Sequence, residues 1–219
     1  LARNGAVSAW GGVFSSAIVL APRGYFLTRK VVNDETFDFA VWNSIKFFFK
    51  RMKKGFRKMR IVYMGTPEFA VAPLEALRSK GYEIAGVVTV ADKQSGRGLK
   101  VNESAVKKYA VEHNIPVLQP VSLKDEQFLK ELAAWDADLF VVVAFRMLPE
   151  VVWSMPKIGT FNLHAALLPQ YRGAAPINWA VINGDAITGV TTFMIDKGMD
   201  TGKIMIREQY RIREEDNAG

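Results

Sequence analysis

A chain of 219 residues that is 49% hydrophobic and 23% charged can bury one substantial core, which excludes a disordered chain. It has no cysteine, which excludes disulfides and thiolate metal centres, and its two histidines, His113 and His164, are too few for a multi-histidine centre. The net charge of +7 is a local property: residues 1–58 carry 11 Lys and Arg against 3 Asp and Glu, and the rest carries 18 against 19.

The leading segment therefore reads apart from the remainder of the chain. "AVSAWGGVFSSAIVLAP", behind Arg3, has the apolar character of a secretory signal but is too short and too rich in Gly and Ser to span a bilayer well. Residues Phe37 to Lys58 interleave aromatic and basic side chains, as a helix lying on a membrane surface would. The plainer reading is that Leu1 to Arg51 is upstream sequence read through in frame, with the start at Met52 or Met59. We expect a leader over 1–58 and a separate folded unit over 59–219.

From Arg60 the chain alternates β and α. "RIVYM" reads as a buried strand, and "GTPEFAVAPLEALRSKG" as a helix with Thr66 as N-cap, Pro67 at the first helical position and Gly81 closing it. "YEIAGVVTV" is a second strand, followed by a polar, Gly-rich loop, "ADKQSGRGLK". A helix from Glu103 to His113, a brief strand at "PVLQP", a helix from Lys124 to Trp135 and the strand "DLFVVVA" continue the pattern. Then come "TFNLHAALLP", a helix starting near Ala174, and the strands "GVTTFMI" and "KIMIREQY". Apolar strands separated by helices predict an α/β fold, a Rossmann-like, mostly parallel sheet with helices on both faces.

In such a sheet, ligands sit outside the carboxyl ends of the strands near the switch in strand order. The loop after the first strand, "MGTPEFA", has one glycine where a dinucleotide fingerprint has three, and no Walker pattern is present. In "FNLHAALLP", Asn162 and His164 lie at i and i+2 of a strand, so both project from one face. An amide N–H and a charged imidazolium converging on one oxygen make an oxyanion site, where one donor is worth about 3–4 kcal/mol in a transition state. A carboxylate nearby would favour the charged ring, and "MIDKGMDTG" offers Asp196 and Asp200. Taken singly, Asn162 and His164 read equally as packing and hydrogen-bonding residues, and an Asp near Gly reads as a turn residue.

The segments "GTPEFAV", "SGRGLK", "FNLHAALLPQYRGAAPINW" and "DKGMDTG", in this order and spacing, resemble the bacterial methionyl-tRNA formyltransferases, over about Arg60 to Gly219. In the wider formyltransferase family an Asn, a His two residues later and a downstream Asp form the catalytic set. The resemblance puts these roles on Asn162, His164 and Asp200, and leaves Asp196 to shape its loop. It implies a cytoplasmic, monomeric transferase of translation initiation. Its formyl donor would be 10-formyltetrahydrofolate, its acceptor the α-amine of methionine on initiator tRNA, and it would use no metal and no membrane.

The resemblance also places the folate against Phe145, Arg146, Met147 and Leu148 of "FRMLP", and against Ala166, Leu167, Leu168 and Pro169. Two departures stand out. Ala166 occupies a position where relatives commonly carry Ser, and Arg146 and Met147 stand where tRNA formyltransferases often have Gly and a different residue. Arg146 would instead reach the acidic tail or the pterin edge of the folate. Lys93, Arg97 and Lys100, set among glycines, would wrap the tRNA acceptor stem through phosphate contacts. Family members continue into a C-terminal β-barrel that helps hold tRNA, so a chain ending at Gly219 is expected to be a truncated catalytic domain that formylates tRNA poorly. Two other readings remain open here: transfer to a small amine such as glycinamide ribonucleotide or an amino sugar nucleotide, and a non-catalytic Rossmann-like binding module.

Overall fold

The structure is a computed structural model, and it describes residues 59–95 and 100–217. The leader expected over 1–58 and Arg97 lie outside the described residues. Among the described residues no helix is long and apolar enough to cross a membrane.

In chain order the elements are β1 (Arg60–Gly65), a 3₁₀ turn (Glu68–Ala70), α1 (Val71–Ser79), β2 (Glu83–Val88), β3 (Lys93–Ser95), β4 (Lys100–Asn102), α2 (Ala105–Glu112) and β5 (Val117–Leu118). There follow α3 (Glu126–Ala134), β6 (Leu139–Val143), α4 (Glu150–Trp153), β7 (Gly159–His164), α5 (Pro176–Ile182), β8 (Ile187–Met194) and β9 (Ile204–Arg211). Among the described residues, seven strands form one sheet in the order β5-β2-β1-β6-β7-β8-β9. The neighbours from β5 to β7 run parallel, and β8 and β9 extend the sheet antiparallel. Strand order reverses between β1 and β6, so the carboxyl ends of β1, β6 and β7 open on the crevice where such sheets hold ligands.

Period-two alternation sorts the core. Ile61, Tyr63, Val141, Val143, Phe161 and Leu163 face one side, against Leu74, Leu77 and Val106 from α1 and α2. Val62, Met64, Phe140 and Val142 face the other, against Phe128 and Leu132 of α3 and Val152 of α4. Each such side chain fully removed from water contributes about 1.5–3 kcal/mol. With Phe161 and Leu163 committed to the first face, Asn162 and His164 must point to the second.

Two local expectations are corrected, and a third feature had not been expected at all. The first helix does not begin at Pro67: a 3₁₀ turn comes first, α1 starts at Val71, and no side chain caps either start. Pro73 is the cause. In a helix running from Pro67 it would sit in the interior, lacking an N–H for the Phe69 carbonyl and clashing with it. In the first turn of a helix that starts at Val71, the missing donor costs nothing. Second, the loop "ADKQSGRGLK" contains hairpin arms, with Lys93 opposite Asn102 and Ser95 opposite Lys100. Asp92 ties the hairpin's base down, accepting from Gln119 Nε2 at 2.7 Å and pairing with Lys107, whose ammonium also meets Glu103 at 2.7 Å. The hydrogen bond from Lys107 holds the Asp92 carboxyl below its ordinary range. Third, four-residue α4 is too short to show a helical period in sequence.

Candidate active site

β7 ends on His164, whose ring is 7% exposed, and Asn162 is half-buried one pleat earlier on the same face. No hydrogen bond ties the Asn162 amide to another described residue, so its N–H donors remain open to the crevice. The imidazole is held at one end: Nε2 lies 2.8 Å from the Tyr171 carbonyl oxygen. A carbonyl only accepts, so the proton of the neutral ring sits on Nε2 and the Nδ1 lone pair is left for the site. Nδ1 faces Asp200 Oδ2 at 3.9 Å. That separation is too long for a direct hydrogen bond, so an N–H formed there can turn toward a third atom while the carboxylate neutralises its charge.

Asp200 comes from the loop between β8 and β9, and two features of "DKGMDTG" shape that loop. Asp196 Oδ1 accepts from the Gly198 N–H and the Thr201 hydroxyl, both at 2.9 Å, which closes the loop on itself. A Cβ added at Gly202 would lie 1.7 Å from the Met194 carbonyl oxygen, so only glycine lets the chain pass back along the end of β8. Asp200 itself has φ +52, and its carboxylate accepts the Gly173 N–H at 2.8 Å. It reaches the histidine through the turn that follows β7.

The three side chains line one cavity of about 710 Å³, within the usual range for a small-molecule site. Its other walls include Phe69, Phe145, Trp153 and Phe193. A largely apolar cavity whose lining includes an amide, an imidazole and a carboxylate can bind an organic molecule and stabilise charge developing at one atom.

Residues 59–219 match the family described as formyl transferase. The chain belongs to the formyl transferase family. Within it, the chain is 62% identical over 163 residues to the methionyl-tRNA formyltransferase of Azobacteroides pseudotrichonymphae genomovar. CFP2, covering 74% of this chain and 50% of that protein. It is 60% identical over 166 residues to the methionyl-tRNA formyltransferase of Bacteroides thetaiotaomicron, covering 76% and 51%. The chain thus spans about half the length of the curated relatives it matches. Among solved structures, phosphoribosylglycinamide formyltransferase from Bacillus halodurans superposes with a TM-score of 0.59 at 23% identity, over 73% of this chain and 83% of that one. At that identity the likeness establishes the fold, the Rossmann-like, mostly parallel sheet read from the sequence.

Other residues singled out in the sequence divide around this formyl transferase cavity. Phe145, Arg146, Met147 and Leu148 line it, with Met147 70% exposed at the rim. The Arg146 guanidinium, expected to reach a ligand, is bound to the protein's own backbone. Its two terminal nitrogens donate to the Pro120 and Val121 carbonyls, and burial lowers its affinity for the proton from the ordinary value. Ala166, Leu167, Leu168 and Pro169 do not line the cavity: Ala166 and Leu168 are buried and Pro169 is exposed. Lys93 is exposed at the start of β3, away from the cavity lining, and Lys100 begins the facing strand β4.

Sequence reasoning missed the groups that hold the site together. Thr191, opposite His164 across β7 and β8, is fully buried; its hydroxyl donates to the Ala166 carbonyl at 2.7 Å and accepts the Leu168 N–H at 3.0 Å. A threonine in a strand is ordinary for that setting, so no sequence signal marks it. Thr191→Val keeps the shape but strips two buried backbone groups of their partner. It is expected to destabilise the protein by about 2–4 kcal/mol, read in denaturant melts, with Thr191→Ser recovering most of the loss.

Proposed function

We propose that this chain is the catalytic domain of a methionyl-tRNA formyltransferase, moving the formyl group of 10-formyltetrahydrofolate onto the α-amine of methionine carried by initiator tRNA. The observation that carries the reading is that Asn162, His164 and Asp200 line one cavity, with His164 Nδ1 facing Asp200 at 3.9 Å. The identity to proteins named methionyl-tRNA formyltransferase supports tRNA as the acceptor. In domain terms, 59–219 is the catalytic unit and 1–58 a leader.

In this mechanism the neutral amine attacks the formyl carbon, and the carbonyl oxygen becomes an oxyanion. Asn162 Nδ2–H and the Nδ1–H of protonated His164 donate to that oxygen, while Asp200, 3.9 Å from Nδ1, balances the imidazolium charge. Collapse of the intermediate breaks the bond between the formyl carbon and the folate nitrogen. The proton lost by the attacking amine passes, through Asp200 and water, to that departing nitrogen. The folate ring system would occupy the chamber beside Phe145, Met147 and Leu148, with Arg146 stiffening their loop by its hold on Pro120 and Val121. Lys93, Arg97 and Lys100 would meet the tRNA phosphates.

The test is a transfer assay with a formyl-labelled donor, offering initiator methionyl-tRNA, a small-amine acceptor, or neither. Label appearing on the methionyl-tRNA is the expected result. Label moving only to the small amine would overturn the acceptor assignment, and no transfer to either would overturn the catalytic reading.

A further inference from the structure

The turn after β7 carries more conformational strain than its length requires. Tyr171 has φ +55, Gly173 +90 and Ala175 +53, so two side chains that disfavour the left-handed region occupy it within five residues. Such a conformation persists only where the surroundings fix it, and here the fixing group is the Tyr171 side chain. Its hydroxyl donates to Asp185 Oδ2 at 2.6 Å and accepts from Asn183 Nδ2 at 2.9 Å. Asn183 and Asp185 sit in the turn from α5 to β8, itself held to the helix by Asn183 N–H to Trp179 and Asp185 N–H to Ala180, both at 3.0 Å. The phenol is thus tied to a hydrogen-bonded corner, and the bond to Asp185 raises its proton affinity, keeping it a neutral donor.

The same turn touches both ionisable members of the site. The Tyr171 carbonyl takes the His164 Nε2–H, the Gly173 N–H donates to Asp200 Oδ2, and Arg172 Nε donates to the Asp200 carbonyl at 3.2 Å. His164 and Asp200 come from different elements, and this turn hydrogen-bonds to both.

We infer that Tyr171 is a positioning residue: its hydroxyl, held by Asp185 and Asn183, fixes the backbone carbonyl that selects the Nε2–H form of His164 and so turns Nδ1 toward Asp200 and the cavity. The kinetic consequence rests on the formyl-transfer reading; the selection of the ring's proton position does not.

The test separates the two. The chain has two histidines, and His113 provides an internal reference, because its Nδ1, not its Nε2, lies 2.8 Å from a carbonyl, that of Tyr109. With nitrogen-15 in both rings, proton–nitrogen correlation spectra of the neutral rings report which nitrogen holds the proton, and His164→Ala assigns the signals. In the wild type His164 is expected in the Nε2–H form. In Tyr171→Phe and in Asp185→Ala it is expected to become a mixture, with His113 unchanged, while Asp185→Asn, which keeps an acceptor oxygen, retains the wild-type spectrum. Alongside, kcat in Tyr171→Phe should fall about tenfold with KM for donor and acceptor within about twofold.

If Tyr171→Phe fails to fold, judged by near-ultraviolet circular dichroism, Asp185→Ala carries the same test. A folded Tyr171→Phe, or Asp185→Ala in its place, whose His164 stays wholly in the Nε2–H form would overturn the inference. Absence of transfer by the wild type would instead overturn the functional reading, leaving the spectra to judge Tyr171 alone.

Discussion

Replacing His164 by alanine should slow formyl transfer by about 10³-fold or more while leaving the affinity for the formyl donor within about threefold. The size follows from what the ring does. Its Nε2 is committed to the Tyr171 carbonyl, so everything it offers the reaction comes from Nδ1, facing Asp200 and the cavity. Losing one donor to an oxyanion costs about 10²–10³ in rate, and losing the positive charge that the ring carries beside the oxyanion adds to that loss. Because the two roles share one nitrogen, their losses do not multiply in full. Donor affinity is expected to be spared because Phe145, Leu148 and Trp153, which line the cavity, are not altered by the substitution. Single-turnover transfer with labelled donor and donor titration by calorimetry measure the two quantities separately. Activity within tenfold of wild type would mean that another group supplies the charge.

Much of this site was legible in the sequence, for an identifiable reason. β1 and β6 announce themselves as unbroken apolar runs because both faces of the central sheet are covered, and the carboxyl-end rule then points to the loops beyond β1, β6 and β7. Asn162 and His164 could be paired by strand parity alone. Choosing Asp200 over Asp196 could not be done that way, since no periodicity governs a loop; the family resemblance made the choice, and the structure puts Asp200, not Asp196, beside the ring. What stayed hidden acts through anonymous atoms. Tyr171 and Gly173 contribute a backbone carbonyl and a backbone N–H, groups every such residue has. The polar hairpin of β3 and β4 has no apolar alternation to betray it, and Arg146, read as a ligand contact, donates from its two terminal nitrogens to carbonyls that only the folded chain brings within reach.

Asp200 allows charge and scaffold to be tested apart, because its carboxylate does two things. It faces His164 Nδ1, and it accepts the Gly173 N–H that holds the turn after β7. Asp200→Asn removes the charge but keeps an oxygen for Gly173, and asparagine tolerates φ +52 as readily as aspartate does. The expected result is a fall in kcat of about 10²–10³ with the melting temperature within about 2 °C of wild type. Asp200→Ala loses the charge, the Gly173 bond and a residue suited to the left-handed region. It should match that loss of rate and in addition cost about 1–2 kcal/mol of stability, lowering the melting temperature by about 2–8 °C for a domain of this size. Transfer kinetics and thermal melts on the pair give a two-by-two comparison. If Asp200→Asn transferred formyl at the wild-type rate, the carboxylate would be a brace for the turn and nothing more, and the imidazolium would have to find its counter-charge elsewhere. If instead both variants lost rate equally and only the alanine melted early, the 3.9 Å gap between carboxylate and ring would be the electrostatic contact on which the chemistry turns.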